Sequence, residues 1–223
     1  MLARISADHC FMKKLNIFLE ILLILVLFTL TSCKRQYVVE GEKVYYKYWN
    51  EGSGKNKELL DSVDAKTFKE VKSDCDILFA KDNKHVYING QLIKNIDPNT
   101  FIYAGNYFIK DKDSVYFLGV YMDIGIDNNI KNCVIKGVDP SKLILIKNSW
   151  AKAENTLIHG NQTVKLDGIN DFMPIDETWG KTRNKIIYTT EILHEADLAT
   201  FEVINSYTGK DKNHTYEYGK IKK

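Results

Sequence analysis

The sequence predicts an all-β protein in which tandem β-hairpin repeats stack into an elongated array, preceded by an N-terminal signal helix. Three observations point there. Aromatic residues make up 12% of the 223 residues, with thirteen Tyr against only three Pro, an enrichment that suits pleated, half-buried surfaces. Apolar residues fall in short runs and not in long stripes of helical period. Beyond position 33 one short phrase is written several times. With 44% hydrophobic and 27% charged residues, the chain has the composition of a folded protein that buries a core.

The N-terminal element comes first. Met12-Lys13-Lys14 leads into an apolar stretch centred on Ile21-Leu22-Leu23-Ile24-Leu25-Val26-Leu27-Phe28, then Leu30-Thr31-Ser32-Cys33. This basic, apolar, small-residue order is that of a secretory signal. The last four residues resemble the lipobox of bacterial lipoproteins. The resemblance implies diacylglycerol attached to Cys33 through a thioether, cleavage before it, residues 1–32 removed as signal peptide and 33–36 left as a lipidated tether. Met12 is an alternative start within this leader. Each buried CH₂ contributes about 0.8 kcal/mol, so two or three acyl chains hold where one is marginal. An uncleaved transmembrane helix needs about 20 apolar residues, whereas the 18 from Leu15 to Ser32 include Asn16 and Glu20. The expected partner is therefore a membrane, reached through lipid on Cys33, and the expected address is the bacterial cell envelope.

Residues 37–223 carry the repeat, in about five and a half copies. Its clearest phrases are Asp82-Asn83-Lys84-His85-Val86-Tyr87, Asp111-Lys112-Asp113-Ser114-Val115-Tyr116 and Asp211-Lys212-Asn213-His214-Thr215-Tyr216. Weaker ones begin at Glu40, Ala153 and Arg183, so that the starts lie 42, 29, 42, 30 and 28 residues apart. A second phrase follows each: Asp64-Ala65-Lys66-Thr67-Phe68, Asp97-Pro98-Asn99-Thr100-Phe101, Asp139-Pro140-Ser141-Lys142-Leu143 and Asp197-Leu198-Ala199-Thr200-Phe201, with Gly168 to Phe172 degraded. An aromatic precedes the first phrase: Phe79, Phe108 and Trp150 by three residues, Trp179 and Tyr207 by four. This order resembles the DKNYY repeat family of bacterial envelope proteins. The resemblance implies an architecture and carries no biochemical activity with it.

Within one copy, Asp82-Asn83-Lys84 joins two short extended runs and favours a turn through side-chain to backbone hydrogen bonds. Asn89-Gly90 signals a second tight turn and Asp97-Pro98 a third. Phe101 is the expected plug beneath the hairpin. A lone hairpin is marginal in water, so neighbouring copies must stack to bury their aromatics. A propeller blade needs about 40 residues for four strands, more than the shorter spacings provide, which favours an open array of hairpins.

Two copies owe their extra length to residues after the Val-Tyr strand. The first insertion holds Trp49 with Gly52-Ser53-Gly54, the other Tyr121. Exposed aromatics there would suit a protein or glycan ligand; covering a sheet edge is the alternative role. Cys75 and Cys133 form a candidate disulfide pair in a compartment that permits one, although their slots in the repeat are not equivalent.

Catalytic, cofactor and metal signatures are not found, and a non-enzymatic protein is expected. His194-Glu195-Ala196-Asp197-Leu198 has Leu where a zinc-protease helix needs its second His. Asp111-Lys112-Asp113 lacks the central Gly and closing Glu of a calcium loop. Gly54-Lys55-Asn56 lacks the hydroxyl of a phosphate loop. A net charge of +2 and a pI near 8.2 do not make the basic face that nucleic acid requires. The readings left open are a binding or structural repeat domain, a cryptic hydrolase and an inert folded spacer.

Overall fold

The computed structural model describes residues 35–119 and 130–222. The signal segment, Cys33 and Tyr121 lie outside the described residues. What is described is almost entirely β, in six small antiparallel sheets, in agreement with the all-β expectation. The described residues fall into two units, split after Leu60.

The first unit is a three-stranded meander of β1 (Gln36–Glu40), β2 (Lys43–Asn50) and β3 (Gly54–Leu59). Alternation along β2 puts Val44 and Tyr46 in the buried set, and Tyr46 stacks against Tyr48 two residues on, at 5.3 Å between centroids. The intervening residues Tyr45, Lys47 and Trp49 point to the opposite face. The stretch expected as an insertion is thus the second half of a regular hairpin, with Asn50 opposite Gly54. Asn50 Oδ1 closes its tip by accepting from the Ser53 N–H and hydroxyl at 2.7 and 2.8 Å. Gly52-Ser53-Gly54 belongs to a side-chain-capped turn and not to a slack loop.

In the second unit four copies are four-stranded meanders and one is three-stranded, where sequence spacing had pointed to two-stranded hairpins. The first comprises β4 (Lys69–Val71), β5 (Phe79–Lys81), β6 (Val86–Ile88) and β7 (Gln91–Ile93). The second has β8 (Ile102–Gly105), β9 (Phe108–Lys110) and β10 (Val115–Phe117), with a single bridge from Tyr116 to Val134 in the fourth position. The third runs through β11 (Leu143–Lys147), β12 (Trp150–Ala153), β13 (Thr156–His159) and β14 (Gln162–Lys165). The fourth contains β15 (Met173–Pro174), β16 (Trp179–Lys181), β17 (Ile186–Tyr188) and β18 (Glu191–Leu193). The fifth closes the unit with β19 (Glu202–Asn205), β20 (Thr208–Lys210), β21 (Thr215–Glu217) and β22 (Lys220–Ile221). Four strands fit in so few residues because most are only three residues long and tight turns join them. At Asn89-Gly90 both φ angles are positive, +49° and +83°, as the hairpin turn that matches strand twist requires.

Cross-strand pairs also correct the register of the fourth copy. Lys181 pairs with Ile186 as Lys81 pairs with Val86, which puts Thr182, and not Arg183, in the slot of Asp82. The slot residues are then Asp82, Asp111, Ala153, Thr182 and Asp211, at intervals of 29, 42, 29 and 29. In the same register Thr208, not Tyr207, holds the aromatic slot of the fifth copy, and Tyr207 is half exposed.

Each apolar cluster is shared by two consecutive copies. The plug residue therefore packs beneath the preceding copy: Phe101 on Phe79 at 6.0 Å, Phe172 on Trp150 at 4.9 Å and Phe201 on Trp179 at 5.3 Å between ring centroids. The two indoles also donate onward, Trp150 Nε1 to the Asp176 carbonyl and Trp179 Nε1 to that of Asn205, at 3.2 and 3.0 Å. Buried Trp keeps its N–H satisfied this way, and the same bonds set the spacing of neighbouring copies.

Candidate functional site

The repeat phrases are the chemically richest residues of the chain, and their side chains converge on one carboxylate per copy. Asp111 is buried behind the turn from β9 to β10. Its Oδ1 accepts the backbone N–H groups of Asp113 and Ser114 at 2.9 and 2.8 Å. Its Oδ2 accepts the N–H of Asp97, head of the second phrase, at 3.0 Å and the Tyr116 hydroxyl at 3.2 Å. A carboxylate desolvated among four donors is held by charge-assisted hydrogen bonds that neutral side chains could not supply.

The second phrase answers in kind. Asp97 Oδ1 accepts the Asn99 N–H and its Oδ2 the Thr100 hydroxyl, while Thr100 Oγ1 accepts the N–H of Lys112 at 3.0 Å. The two phrases are thereby fastened to each other. The same clasp joins Asp82, Tyr87, Asp64 and Thr67 in the first copy and Asp211, Tyr216, Asp197 and Thr200 in the fifth.

In copies three and four the clasp is lost as a set. Ala153 and Thr182 stand in the Asp slot, Ile158 and Ile187 in the Tyr slot, and Lys142 and Asp171 in the Thr slot. A buried Tyr hydroxyl without its acceptor would cost about 1–3 kcal/mol, so losing both partners together is the cheaper course.

Charge placement follows from this geometry. Burial pushes the Asp211 carboxyl up, but the N–H groups of Asp197, Asn213 and His214 with the Tyr216 hydroxyl outweigh it and hold it at about 2. Asp82 is lowered in the same way. Burial, then the Asp111 charge, raises the Tyr116 phenol to about 12, and Tyr216 is raised by burial and Asp211. Depressed carboxylates contribute stability that is present above their ordinary 3.8 and is lost as pH falls through about 2. Raised phenols contribute stability that is full below their ordinary 10.0 and is lost as pH rises through about 12. We expect urea midpoints flat from about pH 5 to 9 in these groups' contribution, with losses on both flanks. Replacing Tyr216 by Phe should flatten the alkaline flank in a midpoint-versus-pH series.

A repeated lysine reaches between copies. Lys81, on β5, donates to the carbonyls of Pro98 and Phe101 in the next copy at 2.6 and 3.2 Å, and Lys110 donates to Pro140 at 2.6 Å. Each ammonium caps the short turn of the second phrase. Sequence reading passed over this lysine, although an aromatic-x-Lys run is visible at Phe79, Phe108, Trp150 and Trp179.

The other predicted site residues are scattered. Trp49 stands near the end of β2, opposite Lys55 and 44% exposed. On the same face Lys57 Nζ lies 4.0 Å from the centre of the Tyr45 ring, a cation–π contact. Cys75 is half-buried and Cys133 buried, with no disulfide joining them, and both pack into the cluster shared by copies one and two. His85 and His214 share a slot beside the clasp: His85 Nδ1 is 3.5 Å from Asp82 Oδ2 and His214 Nδ1 is 3.4 Å from the Tyr216 hydroxyl. Burial pushes His159 down, and its Nε2 meets the Glu177 carbonyl at 2.8 Å. His194 and Glu195 sit in a turn after β18, not on a helix. Among the described residues no group of three or more His, Cys, Asp and Glu is arranged to hold a metal.

The family model of the DKNYY family matches residues 79–220. Neither a curated protein nor a solved structure matches the chain.

Proposed function

Because the chain belongs to the DKNYY family, with the four-stranded meander as its structural copy, we propose that it is a membrane-tethered envelope lipoprotein whose repeat domain serves as a binding or structural scaffold. The observation that carries the scaffold reading is the inward use of the motif. Asp, Tyr and Thr of the two phrases bond within a copy, and Lys bonds to the next copy. Residues employed in this way build a framework, and the surface residues outside the motif are left to make contacts. Trp49 with Tyr45, on one face of the first meander, and Tyr121 are the aromatic contact points for a protein or glycan.

The tether rests on Leu30-Thr31-Ser32-Cys33. Cys33→Ser is expected to move the protein from the membrane pellet to the soluble fraction and to abolish incorporation of labelled palmitate. Retention of Cys33→Ser in the pellet would favour an uncleaved apolar segment. For the scaffold, Trp49→Ala together with Tyr121→Ala should reduce capture of envelope components on immobilised protein at unchanged thermal stability; undiminished capture would remove those aromatics from the contact surface.

A further inference from the structure

The lysine that links neighbouring copies is engaged in four of the five. Lys81 and Lys110 cap the following turn, Lys152 donates to Asn170 Oδ1 at 3.1 Å, and Lys210 pairs with Glu202 at 3.3 Å. Among the described residues Lys181 alone of this set has no hydrogen-bond or ion-pair partner. It borders an open cleft of about 530 Å³ between copies four and five.

The cleft occurs where the motif is most altered. Gly168 replaces the Asp that heads the second phrase, Asp171 replaces its Thr, and Thr182 replaces the clasp Asp. Its walls include Met173 and Leu198, 56% and 39% exposed. Arg183 faces Asp171 at 3.6 Å, so the three charged lining groups sum to one net positive charge, with Lys181 the cation that has no acidic partner. Apolar walls beside one uncompensated ammonium fit an apolar chain that ends in a single negative charge.

We propose that this cleft binds a small monocarboxylate with an apolar tail, its carboxylate on Lys181 and its tail against Met173 and Leu198. The reading is independent of the lipid anchor and of any ligand at Trp49.

4-Methylpentanoate is a suitable probe, being too short to form micelles. The full-length protein in lipid nanodiscs would be titrated by saturation-transfer NMR, with empty nanodiscs subtracted. Saturable binding in about the millimolar range is expected for so small a ligand. Lys181→Gln should weaken it about tenfold or more, Lys181→Arg should retain it, and Lys210→Gln, outside the cleft, should leave it unchanged. Leu198→Ser should weaken it about threefold. The neutral 4-methylpentanamide should bind at least about tenfold more weakly. No saturable signal, equal binding by Lys181→Gln, or equal binding of the amide would overturn the assignment.

Discussion

Asp111→Ala is expected to lower stability by about 4 kcal/mol, since hydrogen bonds to a buried charge contribute about 1.5–3 kcal/mol each and are not additive. The change strands the N–H groups of Asp97, Asp113 and Ser114 and weakens the setting of the Tyr116 hydroxyl, which keeps the Asn95 carbonyl at 3.2 Å. The informative comparison is with Asp111→Ala plus Tyr116→Ile, the pair already present as Ala153 and Ile158 in copy three. The double variant should be more stable than the sum of the single losses predicts, by about 1–2 kcal/mol. Urea unfolding of the four proteins gives the coupling directly. A coupling near zero would mean that Asp and Tyr vanish from copies three and four for reasons unrelated to their bond.

The second large effect concerns space and not conformation. At Gly180 an added Cβ would stand 2.4 and 2.5 Å from the Phe172 ring carbons Cζ and Cε2, far inside van der Waals contact. Phe172 is itself buried and packed on Trp150, so it yields only by giving up the contact between copies three and four. We expect Gly180→Ala to cost about 2–3 kcal/mol, the upper range for overpacking. Copy three combines Leu143 with Ala151 in the corresponding slots. Adding Phe172→Leu to Gly180→Ala should therefore recover most of the clash. Gly209 faces the same constraint, with Phe201 Cζ at 2.5 Å from the hypothetical Cβ. A fully stable Gly180→Ala protein, read by thermal melting, would show that the ring has free room to move.

Both predictions depend on partners in another phrase or another copy, which explains how much could be read beforehand. The turns at Asp82-Asn83-Lys84 and Asn89-Gly90 were legible because a local side-chain acceptor or a residue tolerant of positive φ signals a turn without reference to the rest of the fold. The plug role of Phe101 was legible, but not that it packs under the preceding copy. The fourth copy's register was misread by one residue because Arg183-Asn184-Lys185 resembles the phrase in composition. Only the pairing of Lys181 with Ile186 settles it. Trp49 was correctly read as an exposed aromatic, though it lies on a strand and not in an insertion.

The sequence by itself determined the β class, the recurrence of the phrase and the chemistry of its turns, all of which are short-range properties. That Asp, Tyr and Thr disappear together in the fourth copy emerges only from the strand pairing, because the phrase read from Arg183 keeps Tyr188 in the Tyr position. The tertiary structure decided that a copy is a meander of three or four strands and not a two-stranded hairpin, since three-residue strands are too short to leave an alternation signal. It also decided that Asp111 joins two phrases, that the repeat lysine caps its neighbour's turn, and that Lys181 alone of that set lacks a partner. Those facts concern groups brought together across phrases or across copies, and a hydrogen bond between them depends on distance in space, which residue order does not record.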